Sequence, residues 1–144
     1  MREWEGAEVV CYDPGYEPFA GDYSGRYDGV ISTDVLEHIP EEDVPWVIDE
    51  LFRHSNKFVY AVATCYPAKK SLPNGENAHC TVMPPAWWRG QMETAARRYP
   101  GVDWLLCTKE RSFLALTKRK GLMKKGVKTR YFSNGAPAEA AGAA

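Results

Sequence analysis

Asp34, Glu37 and His38 stand close together in the run TDVLEHIPEED, two carboxylates and one imidazole where apolar sequence turns acidic. On a helical turn their i, i+3, i+4 spacing puts all three on one face. The residue types allow two uses. In a structural one, Asp34 caps a helix, Glu37 completes the capping arrangement and His38 hydrogen-bonds a loop. In a chemical one, His38 or Asp34 orients or deprotonates a substrate hydroxyl, work that suits an imidazole near neutral pH.

Of the remaining histidines, His54 follows an amphipathic run and reads as a helix C-terminal residue. His79 lies in GENAHCTV, within a long stretch of loop composition. Trp87 and Trp88 are adjacent and cannot share one helix face, so one reads as core and the other as a candidate substrate contact, with core for both as the simpler reading. Cys11, Cys65, Cys80 and Cys107 are widely spaced and form no C-x-x-C pair, which predicts reduced core residues rather than zinc ligands or disulfides.

Elements that position these groups follow from hydrophobic pattern. AEVVCYD is a β-branched run stopped by DPG and predicts a first strand; YDGVIST predicts a second, apolar at its centre as parallel strands are. Val44, Val47, Ile48, Leu51 and Phe52 give the helical period, with Asp43 as candidate N-cap and Glu41, Glu42 and Asp43 at the positive end of the dipole. KFVYAVAT predicts a third strand, and the stretch from Cys65 to Met83 is too long for a simple connector. PPAWWRGQMETAARRYP predicts a helix carrying Trp88, Met92, Ala95 and Tyr99 on one face. VDWLLCT and SFLALTK, parted by KER, predict a terminal antiparallel hairpin. Residues 119–144 are basic and then Ala/Gly-rich, and predict a disordered tail behind a domain of residues 1–118.

This order predicts an α/β open sheet, mostly parallel, with ligands beyond the carboxyl ends of its strands. Three places qualify: Asp13 after the first strand, Asp34 to His38 after the second, and the loop after the third. With 144 residues, 44% of them hydrophobic, the chain has room for one domain with a real core. A net charge of -1 provides no global basic field, so nucleic acid is disfavoured as a partner. The basic run KRKGLMKK lacks aromatic interleaving and reads as a solvated tail. No apolar run reaches a membrane-spanning length and no leader pattern opens the sequence, which leaves the cytoplasm as the expected location.

VVCYDP, YDGVISTDVLEHIPEE and the terminal hairpin together resemble the class I S-adenosylmethionine-dependent methyltransferases over residues 8–118, with DVLEH the most specific part. The resemblance implies a Rossmann-like sheet and methyl transfer from S-adenosylmethionine to an O or N acceptor on a small molecule. It places Asp13, with Pro14 beside it, where the family's ribose-binding acid stands, and Thr33 and Asp34 beside the methionine end of the cofactor. It makes His38 and Asp34 the candidate catalytic groups, and His79 and Trp87 the candidate substrate contacts.

The chain departs from the family in lacking the first strand and the glycine-rich cofactor turn. It therefore resembles an N-terminally truncated member, not competent alone and completed by a missing N-terminal segment or a partner chain. MREWEGAEVV, with Trp4, resembles the end of the helix that precedes the family's second strand. Two alternatives stand beside this reading. One is a degenerate, non-catalytic methyltransferase-fold binding protein whose open sheet edge takes a partner. The other is similarity to the metal-dependent small-RNA ribose 2'-O-methyltransferases, whose ligand set Asp34, Glu37, His38 and His79 resemble. That set would hold Mg²⁺ or Mn²⁺ against a ribose hydroxyl. The leading expectation is metal-free transfer, since DVLEH is common among metal-free members.

Overall fold

The computed structural model describes residues 6–21, 23–113 and 125–134. Its sheet has four strands in the spatial order β1 (Tyr27–Thr33), β2 (Ser55–Thr64), β3 (Asp103–Phe113) and β4 (Lys125–Ser133). The first three run parallel and β4 returns antiparallel on β3. The fold is thus α/β with an open mixed sheet. Helix α1 (Val44–Arg53) connects β1 to β2, and α2 (Pro85–Ala96) connects β2 to β3.

Two successive crossovers in the same direction put both helices on one face of the sheet. They touch each other there: Arg98 and the Tyr99 hydroxyl, just past α2, donate to the Asp49 carboxylate of α1 at 2.9 and 3.1 Å. Val44, Ile48 and Phe52 of α1 and Trp88, Met92 and Ala95 of α2 are the buried stripes that the helical period predicts, and they close over Val59, Ala61, Ala63, Trp104 and Leu106. Full burial of each large side chain contributes roughly 1.5–3 kcal/mol. Asp43 does occupy the position before α1, but its side chain makes no capping bond.

Among the described residues no helix lies on the opposite face. Register aligns Ile31, Tyr60 and Leu105 in one row across it, and Thr33, Val62, Cys107 and Tyr131 in the next. Ile31, Phe58, Leu105, Val127 and Tyr131 are all exposed. Phe58 lies so close over Gly29 that a Cβ at that position would overlap its ring, which is why β1 carries glycine there.

Four expectations are corrected. Residues 7–13 form no strand; Val9, Val10 and Tyr12 are exposed, and no described strand lies beside them to supply ladder hydrogen bonds. Lys109, Glu110 and Arg111 are not a turn but the continuation of β3. Each has a partner that keeps it extended: Lys109 meets Asp34, Glu110 meets Arg130, and Arg111 reaches Pro67 O and the Tyr66 ring. The antiparallel partner of β3 is residues 125–133, inside the segment expected to be a disordered tail. There Phe132 packs on the core, and Asn134 accepts from Trp104 N at 3.1 Å while donating to Asp103. Finally, of the cysteines only Cys107 is buried; Cys65 is half-buried, and Cys11 and Cys80 are exposed, all of them free. Trp4, most of SFLALTK and residues 135–144 lie outside the described residues.

Candidate functional site

β1 ends at Thr33, and the chain then breaks direction at Asp34, whose φ of 55° is left-handed. Aspartate tolerates that region better than most side chains. Because of this break, only Leu36–His38 form a helical turn, a short 3-10 one without a side-chain cap, and the expected common face of Asp34, Glu37 and His38 does not form. Asp34 turns toward the helix-free side of the sheet. It accepts from Lys109 Nζ at 2.7 and 2.8 Å and from Thr64 Oγ1 at 3.3 Å. The Asp34 carboxylate raises the pKa of Lys109 above the ordinary lysine value.

Glu37 is placed differently. It is 0% exposed, and neither carboxylate oxygen has a hydrogen-bond partner among the described residues. A buried carboxylate left unpaired costs several kcal/mol unless a cation or donor compensates it. Beside it stand His38 and His79, with ring centroids 4.9 Å apart and the rings edge to face. One candidate ligand atom from each of Glu37, His38 and His79 lies within 4.8 Å of the others.

Both imidazoles are oriented from behind. His38 Nδ1 is 2.6 Å from Ala78 O, and His79 Nδ1 is 2.6 Å from Tyr66 O. A carbonyl only accepts, so each Nδ1 carries a proton, and in the neutral ring Nε2 is left as a lone pair. Metal-binding histidines are commonly held by this second hydrogen bond.

The long loop is built to deliver His79. Thr81 N donates to Glu37 O at 3.0 Å, and the buried Thr81 hydroxyl donates to Ile39 O at 2.7 Å, fastening the loop to the turn that carries Glu37 and His38. Asn77 Oδ1 accepts from Ala68 N and His79 N, and its Nδ2 donates to Ala68 O, which folds the excursion back on itself. Gly75, at φ 89°, makes the tight turn at its tip. At the loop's start, burial pushes the Cys65 thiol up to about 12, so it remains protonated near neutral pH.

The remaining candidates are distributed as follows. Thr33 is exposed at the carboxyl end of β1, and Trp87 is half-buried in the first turn of α2 while Trp88 is fully buried, its indole donating to Met83 O. His54 follows α1 and binds Gly25 O, a structural role as expected. Asp13 and Pro14 are not brought to the others. Asp13 closes a turn by accepting from Gly15 N, and its neighbour Tyr12 packs at a tilt against Tyr23, which lies against His54 at the amino end of β2. Lys109, Thr81 and Asn77 are the contributors the sequence did not disclose. A lone lysine inside KER and polar residues inside a loop carry no pattern.

A concavity of about 600 Å³ is a groove between the end of α2 and β4, lined by residues such as Arg89, Arg97, Trp104 and Phe132, and none of the site residues borders it. No helix among the described residues is long and apolar enough to cross a membrane. Comparison with protein-family models, with curated proteins and with solved structures returned no match to this chain.

Proposed function

We propose that this chain carries the acceptor side of an S-adenosylmethionine-dependent methyltransferase of Rossmann-like form, acting on a hydroxyl acceptor with a divalent cation held by Glu37, His38 and His79. The observation that carries the cation part is the buried, unpartnered Glu37 carboxylate beside two imidazoles that are oriented from behind. It favours metal-assisted over metal-free transfer. The methyltransferase part rests on the resemblance of DVLEH after β1 and on the position of the group beyond the carboxyl ends of parallel strands.

A bound divalent cation polarises a hydroxyl and makes it nucleophilic near neutral pH. The donor set, one carboxylate and two imidazoles, suits transition metals such as Fe²⁺ and Zn²⁺ better than Mg²⁺, and the carboxylate also admits Mn²⁺. The chain's own residues have defined tasks. Glu37 supplies the negative charge, Ala78 O and Tyr66 O fix the two rings, and Thr81 holds the loop against the turn. Thr33 and Asp34 line the approach from the helix-free face, where the cofactor's methionine end would lie. Small-molecule hydroxyls and ribose hydroxyls share this acceptor chemistry.

One observation favours a second, non-catalytic reading: the helix-free face and the outer edge of β1 together offer a binding surface to a partner chain. A titration of S-adenosylmethionine into ¹⁵N-labelled chain separates the two. Weak binding with amide shifts centred on Thr33 and Asp34 is expected, weak because no glycine-rich turn is present. Shifts elsewhere, or none at saturating cofactor, would overturn the methyltransferase reading in favour of the binding protein.

A further inference from the structure

The pattern D-V-L-E-H offers a cation two carboxylates, yet the folded chain separates them. Asp34 sits on the helix-free side of the sheet end, gripped through both oxygens by Lys109 from β3, while Glu37 is buried beside the two histidines. Asp34 is absent from the cluster of convergent ligand atoms although it is only three residues away.

We infer that Lys109 is a positioning residue that latches Asp34 out of the Glu37–His38–His79 centre and so fixes it as a three-ligand site with positions left open for the acceptor. This rests on the cation reading given above. The physical argument is one of competition. The pair with Lys109 contributes about 1 kcal/mol, a factor of about five in an equilibrium, and the left-handed corner at Asp34 adds a backbone constraint, so together they bias the carboxylate away from the cluster. Three protein ligands with open positions is the arrangement of reactive rather than purely structural metal sites. Without Lys109, Asp34 is free to turn toward the cluster, filling a position that the acceptor needs.

The test is Mn²⁺ affinity of the full chain, read from the electron paramagnetic resonance signal of free Mn²⁺, with circular dichroism as the check on folding. In the unaltered chain Asp34→Asn is expected to change affinity by less than about threefold, because Asp34 is not a ligand there. Lys109→Met is expected to tighten binding by up to about fivefold, and Asp34→Asn added to it to reverse that gain, a non-additive cycle. Lys109→Arg, which keeps a charged two-pronged grip on Asp34, is expected to restore ordinary affinity. Lys109→Gln repeats the experiment should the methionine variant not fold. Loss of Mn²⁺ binding in Asp34→Asn alone, or additive effects in the cycle, would overturn the latch while leaving the cation site standing. Failure of the unaltered chain to bind Mn²⁺ would overturn both.

Discussion

Lys109 Nζ lies between the two oxygens of Asp34, 2.7 and 2.8 Å away, and so fastens the end of β3 to the left-handed corner that follows β1. Both side chains are substantially exposed, so the ion pair contributes at most about 1 kcal/mol to stability. The backbone term is comparable. Asp34→Gly loses the pair but gains a residue at ease at positive φ, whereas Asp34→Ala loses both the pair and that tolerance. Urea denaturation is expected to show the alanine variant less stable than the glycine variant by about 1 kcal/mol. Equal stabilities would remove backbone strain from the account of this corner.

Glu37 costs stability where no cation compensates it. Glu37→Leu is expected to stabilise the chain in chelator by about 1–3 kcal/mol, the scale of an unmet buried polar group. The same variant is expected to lose any rise in melting temperature that Mn²⁺ gives the unaltered chain. A leucine variant less stable in chelator would mean that the carboxylate has a compensating partner.

Thr81→Val keeps shape and removes one hydrogen bond. Its expected cost is about 1 kcal/mol in stability. The further effect is weaker Mn²⁺ binding, since the loop that brings His79 loses its fastening to Ile39 O. Mn²⁺ affinity unchanged by the valine substitution would show that His79 is positioned by Asn77 and Tyr66 alone.

Cys65 has a raised pKa, about 12 against the ordinary 9.0, because burial penalises its thiolate. The unfolded chain releases that proton from about pH 9 upward and the folded chain keeps it, so the folded state binds more protons in this window. Stability contributed by this group is full below pH 9 and falls as pH rises toward 12. Cys65→Ala is expected to flatten that part of the stability profile. At pH 8, iodoacetamide is expected to label exposed Cys11 and Cys80 well before Cys65 or Cys107, read by mass spectrometry.

The parts of this fold that were legible in the sequence are those where a period repeats. Val44, Ile48 and Phe52 announce α1, Trp88, Met92 and Ala95 announce α2, and the apolar runs ending at Thr33 and Thr64 announce β1 and β2. What failed depended on partners distant in sequence. Residues 7–13 have strand composition but no neighbour to pair with, and KGVKTRYFS has charged composition but a free edge of β3 to join. Composition cannot register either fact. Within the site, Glu37 and His38 were picked out by type and spacing and His79 joined them only through the family resemblance, but the sorting of Asp34 away from them follows from one backbone angle and one lysine on another strand.

A sheet with both helices on one side has a calorimetric signature. Ile31, Phe58, Leu105, Val127 and Tyr131 remain in water in the folded chain, so unfolding newly hydrates less apolar surface than it would in a domain of this length covered on both faces. The heat capacity of unfolding and the denaturant slope both scale with that newly hydrated surface. The chain should therefore have a flatter dependence of stability on temperature and a shallower urea transition than its length suggests. Anything that seats on that face will show itself by a negative heat-capacity change on association.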